Sequence, residues 1–479
     1  MTFTTLRTKM QSRAGIPATG FSLSQGLTDS MSQGLTDSMS QGLTDSMSQG
    51  LTDSMSQGLN ESPRFVTYLD HNATTPIASV VSENLGLWAE AWGNPSSIHQ
   101  AGRAPKALMR ESRDRVAKMV NASPLEIIFT SGGSEANNFA LKGVFEALRI
   151  KSSNRKHYLL SAVEHPCVRR AADYLMANGA EVEFIPVNRD GSIDMHFYQT
   201  HLRNDTALVS VMLANNETGN IFPIKNMVQL AHERGALFHT DAVQALGKIP
   251  VDLKALGVDL ASFAGHKFYA LKGAGFLYCK RGTPIEPLIL GGGQERHRRG
   301  GTENLLAIAS LGKMCEMLDQ VSVQALRLSR LRDRLEAALV ADLPGLSLTG
   351  AENPRLPNSS SMVIDGVDGE TLLMNLDMRG FAVSTGAACS AGSPEPSPVL
   401  IAMGLSRKEA QSSLRLGLGW ETTESEVAEF IEALKSVVIH LREMSDGMSD
   451  GMSDETRQRP KKLIHEGETP EKVRIHGNS

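Results

Sequence analysis

Short apolar runs alternate with stretches of helical periodicity through the middle of the chain. Five runs predict strands: EIIFT (126–130), HYLLSAV (157–163), ALVSVML (207–213), ALFHT (236–240) and DLASFA (259–264). Strands that alternate with helices favour an α/β fold with a mainly parallel sheet. Ligands bind beyond the carboxyl ends of the strands in such sheets, so the residues that follow these runs are candidate site residues.

The two ends of the chain have a different, repetitive composition. From Ser24 the octapeptide SQGLTDSM runs four times unchanged and is followed by SQGLNESP, while MSDG units begin at Met444. Each octapeptide offers only Leu and Met for burial, too little to offset the entropy lost on ordering. The pattern predicts disordered tails at 1–63 and 444–479 around a folded part.

Composition and charge exclude several classes of protein. The chain has 479 residues, of which 41% are hydrophobic and 21% charged, with a formal net charge of -5. This balance gives no global attraction to nucleic acid or to an anionic membrane, so no direct nucleic-acid binding is expected. No stretch reaches the roughly 20 apolar residues of a membrane span, and we expect a soluble protein that works on small molecules.

The cysteines and the N-terminal residues indicate in which cellular compartment the protein works. The four cysteines, at 167, 279, 315 and 389, follow no metal-ligand spacing and are too few for a disulfide scaffold. We therefore expect reduced thiols, no metal site of the chain's own and a cytoplasmic location. Residues 1–23 contain Arg7, Lys9 and Arg13 and no acidic residue, so an organelle transit peptide remains the alternative.

A glycine-rich segment follows the first predicted strand. After EIIFT comes SGGSEANN and then the helix-like FALKGVFEAL, which places Gly132, Gly133 and Ser134 at a helix N-terminus. The free backbone N–H groups there suit an anion such as phosphate. The alternative is an ordinary helix with Ser134 as its N-cap.

A carboxylate and a lysine follow two further strands. Asp241 comes directly after ALFHT, and Gly265, His266 and Lys267 come directly after DLASFA. Pyridoxal phosphate needs a lysine amine for covalent attachment and a carboxylate that keeps its pyridine nitrogen protonated. Lys267 alone is typical of a solvated lysine and Asp241 alone of a helix cap, but with the phosphate loop they predict a pyridoxal phosphate site.

Nine motifs in order resemble the NifS/IscS-type cysteine desulfurases of the class V aminotransferase group. The resemblance runs through nearly all of the folded part. The motifs are YLDHNATTP (68–76), GNPSSIH (93–99), FTSGGSEANN (129–138), VEHPCV (163–168), NNETG (215–219), HTDAVQ (239–244), GHK (265–267), GGGQERHRRGGTEN (291–304) and STGAACSAGS (384–393).

The resemblance implies a fold and a domain division. The fold would be that of the aspartate aminotransferase-like, PLP-dependent transferases, with a mostly parallel seven-stranded sheet in a large domain at 81–315. A smaller α+β C-terminal domain would occupy 316–443, and the segment 64–80 would pack with it.

The resemblance also implies roles around the cofactor. Lys267 is similar to the lysine that attaches pyridoxal phosphate, Asp241 to the partner of the pyridine nitrogen, and His165 to the imidazole stacked on the ring. Gln244 and Asn216 are similar to the groups on the ring hydroxyl side. The phosphate cradle would consist of Gly133, Ser134 and His266, with Thr302 reaching it from the neighbouring subunit of a homodimer, and Gly265 would be a further cofactor-binding residue.

Two residues are candidates for binding the substrate carboxylate. Arg415 lies in the strand-like SLRLGLG, where a buried guanidinium needs a partner and its planar fork suits a carboxylate. The alternative is an internal salt bridge. Asn94 in GNPSS resembles a helper at the same carboxylate, although a turn-forming asparagine has the same pattern.

Cys389 is the candidate nucleophile. It lies in STGAACSAGSPEPSPVL, a segment rich in Gly, Ser and Pro between an apolar strand and a helix pattern from Pro398, which predicts an exposed loop. Cys315, in an apolar helix pattern, is interpreted as packing. The resemblance implies that Cys389 takes the sulfur of L-cysteine as a persulfide while L-alanine is released.

The acceptor of that sulfur is left open by the residues. The resemblance implies an iron–sulfur scaffold protein or a sulfur carrier for tRNA thiolation, and Cys389 could then ligate a nascent cluster transiently. Rival functions are a selenocysteine lyase, an aminotransferase, or a scaffold without catalysis.

Three positions depart from the pattern of the family. Ala264 stands where the family has a serine that binds phosphate, which predicts a missing hydrogen bond. Leu271 replaces a proline and predicts a looser loop. Cys167 stands where many relatives have alanine, and it is interpreted as packing, with a disulfide or a persulfide as alternatives.

Overall fold

The computed structural model of the chain describes residues 66–386 and 395–455. The SQGLTDSM repeats, Cys389 with its neighbours 387–394, and residues 456–479 lie outside the described residues, so the predictions made for them stay predictions.

Twelve strands occur in the described parts of the chain. They are β1 (Thr67–Tyr68), β2 (Ile127–Thr130), β3 (His157–Ser161), β4 (Glu181–Ile185), β5 (Thr206–Ser210), β6 (Leu237–Asp241), β7 (Leu260–Ala264), β8 (Gly275–Cys279), β9 (Leu346–Leu348), β10 (Ser359–Ile364), β11 (Phe381–Ala382) and β12 (Ser413–Gly417).

Seven of these strands form the main sheet, in the order β2-β8-β7-β6-β5-β3-β4. The strands β4, β3, β5, β6 and β7 are parallel, and β8 is antiparallel to both of its neighbours. All five predicted runs are strands of this sheet, so the predicted α/β fold with a mainly parallel sheet is confirmed.

Helices connect and cover the strands. The α-helices are Ser79–Ser82, Leu85–Ala89, Arg103–Met119, Gly133–Ile150, Pro166–Ala177, Met195–His201, Ile224–Glu233, Leu253–Leu256, Gln294–His297, Leu305–Glu316, Val321–Asp342, Gly369–Met378, Pro398–Ala402, Arg407–Gln411 and Glu424–Glu455. Single 3-10 turns are Gln100–Gly102, Pro124–Glu126, Gly265–Lys267 and Met317–Gln320.

Both faces of the main sheet are buried, which explains why its strands are apolar throughout rather than alternating. Leu159 and Val209 belong to the hydrophobic cluster on one face, while Leu160 and Leu208 belong to the cluster on the other. The helix Gly133–Ile150 covers the second face with residues spaced at three or four positions.

A second core lies around the antiparallel sheet β12-β10-β9. The helices Val321–Asp342 and Glu424–Glu455 contribute Leu335 and Phe430 to this core. Strand β1 pairs in parallel with β11, and Leu69, directly after β1, is buried in the same core. The segment around Leu69 therefore links the N-terminal part of the folded chain to its C-terminal part.

The last helix extends to Glu455, past the predicted end of the folded part at Glu443. The MSDG units contain no proline, and the next proline after Pro398 is Pro460, so nothing in the helix removes a backbone hydrogen bond.

Within residues 66–386 and 395–455, no helix combines the length and the apolar character needed to cross a membrane. The same residues contain no cluster of three or more His, Cys, Asp or Glu side chains arranged to hold a metal ion.

Candidate active site

One cavity of about 370 Å³ lies at the carboxyl ends of the main-sheet strands. Nine of the predicted site residues line it: Gly133, Ser134, His165, Asn216, Asp241, Gln244, His266, Lys267 and Arg415. The parallel strands bring together residues that are far apart in sequence, as their shared strand direction predicts.

Lys267 ends the 3-10 turn that follows β7. Its Nζ donates hydrogen bonds to the carbonyl oxygens of Asn72, at 2.7 Å, and Ala73, at 2.6 Å. Burial and the nearby Arg415 guanidinium lower the pKa of Lys267 to about 8. The amine therefore gives up its proton far more readily than a solvated lysine, as a nucleophile or base requires.

Asp241 is the last residue of β6 and is buried. Its Oδ2 accepts a hydrogen bond from Asn137 Nδ2 at 2.6 Å, and its Oδ1 accepts one from the Val243 N–H at 2.9 Å. Burial raises the pKa of the Asp241 carboxyl. A cationic N–H group in the cavity would offset that effect and keep the carboxylate ionised.

An anion cradle lies at the start of the helix Gly133–Ile150. The N-cap is Gly132 without a side-chain cap, so the alternative in which Ser134 caps the helix is wrong: Ser134 lies within the first turn. The first helical hydrogen bond runs from the Ala136 N–H to the Gly132 carbonyl at 3.1 Å, which leaves the earlier N–H groups for a ligand. A Cβ at Gly133 would lie 2.7 Å from Val243 Cγ2, so a side chain would close the cradle.

His266 joins the cradle from the turn after β7. Its Nδ1 lies 3.1 Å from the hydroxyl oxygen of Thr74, and burial lowers the pKa of His266 to about 4. The neutral ring can donate one hydrogen bond to an anion while Thr74 satisfies the other nitrogen. Gly265 does not line the cavity; a Cβ there would lie 2.9 Å from Leu311 Cδ1, so this glycine serves close packing.

His165 is the N-cap residue of the helix Pro166–Ala177. Its Nδ1 accepts a hydrogen bond from the Cys167 N–H at 3.2 Å, and burial lowers the pKa of the ring. The neutral ring therefore carries its proton on Nε2. The fixed backbone contact orients the imidazole at the cavity wall.

Cys167 lies beside this imidazole. Its Sγ is 3.0 Å from His165 Nδ1 and accepts a hydrogen bond from Asn137 Nδ2 at 3.2 Å. Burial raises the pKa of the thiol to about 12, so Cys167 stays protonated and is a poor nucleophile at neutral pH. This supports the packing interpretation over the redox alternatives.

Arg415 lies in β12 and makes the internal ion pair that was considered as an alternative. Its Nη2 donates to Asp70 Oδ1 at 2.8 Å, and its Nη1 lies 3.4 Å from the Asn216 carbonyl. Its Nε is buried with no hydrogen-bond partner among the described groups. Because the guanidinium lines the cavity, the ion pair holds it in place, and Nη1 and Nη2 each keep a second N–H for a ligand carboxylate.

Besides Gly265, two further predicted residues lie outside the cavity. Asn94 is exposed, and its Oδ1 accepts a hydrogen bond from the Ser96 N–H at 2.8 Å, which is the turn that was considered as its alternative. Thr302 is exposed in the segment before the helix Leu305–Glu316. Neither residue lines the cavity.

Comparison with known proteins places this arrangement in a family. The model of the family described as "Aminotransferase class-V" matches residues 67–430. A match over this much of the chain decides its membership. The chain belongs to the class-V aminotransferase family.

The class-V relatives most similar to this chain include proteins named as cysteine desulfurases. "Cysteine desulfurase IscS" of Dictyoglomus turgidum is 43% identical over 380 residues, which cover 79% of this chain and 96% of the relative. "Cysteine desulfurase NifS" of Azotobacter vinelandii is 41% identical over 381 residues, covering 79% of this chain and 94% of the relative.

Solved structures of class-V proteins have the same fold. A NifS-like protein superposes with a TM-score of 0.73 at 35% identity, covering 78% of this chain and 100% of its own. A NifS-like protein from Rickettsia africae superposes with a TM-score of 0.70 at 32% identity, covering 78% and 99% of the two chains. The PLP-dependent fold predicted from the motifs is confirmed.

Pyridoxal phosphate, the cofactor of this class-V chain, fits the donor set of the cavity. Lys267 offers an amine of lowered pKa, the buried Asp241 offers a carboxylate to a cationic ring nitrogen, and the first turn at Gly133 offers N–H groups to phosphate. When bound, this cofactor accepts the electron pair released at the α-carbon of an amino acid.

Two residues that line the cavity, Asn72 and Glu217, were missed by the sequence reasoning. The carbonyl of Asn72 accepts hydrogen bonds from Lys267 and, at 2.9 Å, from Gln244 Nε2. The buried Glu217 accepts a hydrogen bond from the Ser397 hydroxyl, and burial raises its pKa to about 7. Both residues lie in motifs that were noted, YLDHNATTP and NNETG, but their contacts depend on tertiary packing.

The Leu271 departure is compensated within the structure. Its backbone N–H donates a hydrogen bond to the buried Ser310 hydroxyl at 3.0 Å. A proline at this position has no N–H and could not make the bond. The contact ties the loop after Lys267 to the helix Leu305–Glu316 where the sequence predicted a looser loop.

Ala264 lines the cavity at the end of β7, and restoring a hydroxyl there should strengthen cofactor binding. We expect Ala264→Ser to lower the dissociation constant for pyridoxal phosphate by roughly fivefold, since one added hydrogen bond contributes about 1 kcal/mol. Titration of cofactor-free protein measures the change. Ala264→Val, which adds bulk without a donor, is the matched control, and equal affinity for Ala264→Ser and the wild type would contradict the prediction.

Proposed function

We propose that this chain is a PLP-dependent cysteine desulfurase, which converts L-cysteine to L-alanine and retains the sulfur as an enzyme persulfide. The observation that carries the proposal is the convergence of Lys267, Asp241 and Arg415 on one cavity. The identity of 43% to a protein named as a cysteine desulfurase supports the choice of reaction.

Each of three cavity residues has its own role in the proposed reaction. Arg415 holds the carboxylate of the amino acid, because its guanidinium lines the cavity and keeps N–H groups beyond those that contact Asp70 and Asn216. Lys267, with a pKa of about 8, takes the proton from the α-carbon. The neutral His165 presents Nε2–H at the cavity wall, where it can exchange a proton with the substrate thiol.

Sulfur transfer requires a nucleophilic thiol. Burial raises the pKa of Cys167 to about 12 and that of Cys279 to about 11, and it raises the pKa of Cys315 further, so all three stay protonated. Gly386 lines the cavity, and Cys389 follows it three residues later in the sequence.

We propose Cys389 as the sulfur acceptor on these grounds. The thiolate attacks the substrate sulfur, an S–S bond forms, and the C–S bond of the substrate breaks. The electron pair of the broken C–S bond stays on the β-carbon, which takes up a proton to become the methyl group of alanine. The sulfur is oxidised to the persulfide level in the same exchange, so no external oxidant or reductant is needed.

Mass spectrometry after addition of L-cysteine tests the proposal. The expected result is one added sulfur atom on the peptide that contains Cys389, with one L-alanine formed for each persulfide. Conversion of L-cysteine to its 2-keto acid without any sulfur adduct would favour an aminotransferase. Turnover of L-selenocysteine alone would favour a selenocysteine lyase, and the absence of any bound cofactor would favour the scaffold.

We also propose that the enzyme works as a homodimer. Three large apolar side chains, Trp92, Ile98 and Leu290, are 81%, 97% and 83% exposed, as is typical of a surface that a second subunit covers. Thr302 is exposed and lies outside the cavity of its own subunit, which supports a contact with the partner's cofactor. Sedimentation velocity on the full chain measures the assembly, and a monomer at micromolar concentration would contradict the proposal.

The receiver of the sulfur is proposed to be an iron–sulfur scaffold protein or a sulfur carrier for tRNA thiolation. Cys389 could ligate a nascent cluster during delivery to the first of these. The described cysteines are free thiols, which supports a cytoplasmic location. Transfer of labelled sulfur from the persulfide to each purified acceptor would distinguish the two receivers.

A further inference from the structure

Lys248 is a buried amine whose contacts are with neutral groups. The residue is 7% exposed, and its Nζ donates to Gln244 Oε1 at 2.5 Å and to Asn72 Oδ1 at 2.9 Å. No carboxylate lies within ion-pair distance of it in the part of the chain that the structure describes. A buried lysine without an acidic partner destabilises the fold, and a methionine would fill the same space without that penalty.

The electrostatic surroundings add to this effect. Burial, with the positive charges of Lys267 and Arg415, lowers the pKa of Lys248 well below its ordinary value, while Asp70 acts weakly in the opposite direction. The amine nevertheless keeps its N–H donors in either protonation state. Lys248 therefore donates hydrogen bonds to two amide oxygens, which an apolar side chain could not do.

Donation from Lys248 fixes which way the Gln244 amide faces. An amide side chain can exchange its oxygen and nitrogen by rotation, and only the oxygen can accept the hydrogen bond from Nζ. Gln244 Nε2 then donates one hydrogen to the Asn72 carbonyl at 2.9 Å. Its second hydrogen is left for a ligand, since Gln244 lines the cavity.

The reversed amide would be unfavourable. Gln244 Oε1 would then face the Asn72 carbonyl, which already accepts a hydrogen bond from Lys267 Nζ at 2.7 Å, and Nε2 would face the Lys248 amine. Two acceptors would meet at the Asn72 carbonyl, and the hydrogen bond from Lys248 to Oε1 would be lost. Lys248 and the Asn72 carbonyl together set whether the cavity receives an N–H or a carbonyl oxygen from Gln244.

We propose that Lys248 is a positioning residue that holds the Gln244 amide with its N–H toward the ring oxygen of pyridoxal phosphate. The inference rests on the proposed role of Gln244 on the ring hydroxyl side. An N–H donor stabilises the ionised ring oxygen, whereas a carbonyl oxygen in its place would repel it. Lys248 acts through Gln244 and does not touch the cofactor itself.

A double-mutant cycle on cofactor binding tests this. Cofactor-free wild type, Lys248→Met, Gln244→Leu and the double variant are titrated with pyridoxal phosphate. We expect Lys248→Met to weaken binding roughly tenfold, and the double variant to bind no more weakly than Gln244→Leu alone. The pH midpoint of the visible absorption band of bound cofactor should move to higher pH in Lys248→Met, because the donor to the ring oxygen is lost.

Gln244→Glu keeps the test decisive if Lys248→Met fails to fold. Its carboxylate would pair with Lys248, which offsets the lost bond to the Asn72 carbonyl, but it has no N–H for the cofactor, so the cofactor-free protein should stay folded while pyridoxal phosphate binds more weakly. Additive losses in the cycle, or wild-type affinity in Gln244→Glu, would overturn the inference alone. If the wild type bound no pyridoxal phosphate, the proposed function would fail as well.

Discussion

Replacement of Lys267 by alanine is expected to abolish both covalent retention of the cofactor and turnover of L-cysteine. Lys267 is the lysine whose Nζ lies in the cavity with its pKa lowered to about 8, and alanine has neither a nucleophile nor a base to offer. Loss of proton transfer alone lowers rates by about 10² to 10⁴, and loss of the attachment point adds to this. Turnover should fall by at least about 10³.

Absorbance after dialysis measures the first part of this prediction and alanine formation the second. The wild type should keep a visible band from the attached cofactor, and Lys267→Ala should lose it. Lys272→Ala is the matched control, because Lys272 is an exposed lysine in the loop that follows. Retention of the band in Lys267→Ala through extensive dialysis would show that another residue carries the cofactor.

The Lys267→Ala variant also loses the hydrogen bonds from Lys267 to the carbonyls of Asn72 and Ala73. The buried Asn72 carbonyl keeps its bond from Gln244 and Ala73 is exposed, so the loss of about 1 kcal/mol per hydrogen bond predicts only a slightly lower melting temperature. Circular dichroism at the assay temperature therefore has to show folded protein before a loss of activity is assigned to chemistry.

Replacement of Cys389 by serine should abolish the sulfur adduct and reduce desulfuration to a background level. A hydroxyl does not attack sulfur at neutral pH as a thiolate does, so we expect a fall in alanine formation of at least about 10²-fold. The other thiols cannot take over, because burial raises the pKa of Cys167 to about 12 and that of Cys279 to about 11. Cofactor absorbance should be unchanged.

The control for this prediction is the Cys167→Ala variant, in which the peptide that carries the added sulfur is identified. In Cys167→Ala the added sulfur should still be found on the peptide that contains Cys389. Two results in Cys389→Ser would contradict the role proposed for Cys389: a sulfur adduct on the Cys167 peptide, or alanine formation at the wild-type rate. Either result would point to Cys167, the thiol beside His165, as the sulfur acceptor.

The local pattern of the chain was sufficient for five of the seven strands of the main sheet, without β4 and β8, and for the pair Lys267 and Asp241. Both follow directly after apolar runs, and parallel strands place their carboxyl ends at one edge, so adjacency follows from strand direction without knowledge of packing. The apolar character of the runs also reflects burial on both faces. The sequence could not exclude the ion pair of Arg415, because Asp70 lies in a segment that returns from the other end of the chain.

The sequence by itself therefore determined the fold class, the family and the chemistry at the strand ends of this protein. Only the tertiary structure decided which side chains of distant segments meet: Asn72 with Lys267, Lys248 with Gln244 and Asn72, and Glu217 with Ser397. It also decided that Asn94 and Thr302 lie outside the cavity. The reason is physical: strand and helix periodicity is set by neighbours along the chain, whereas hydrogen bonds between segments depend on how the whole core packs.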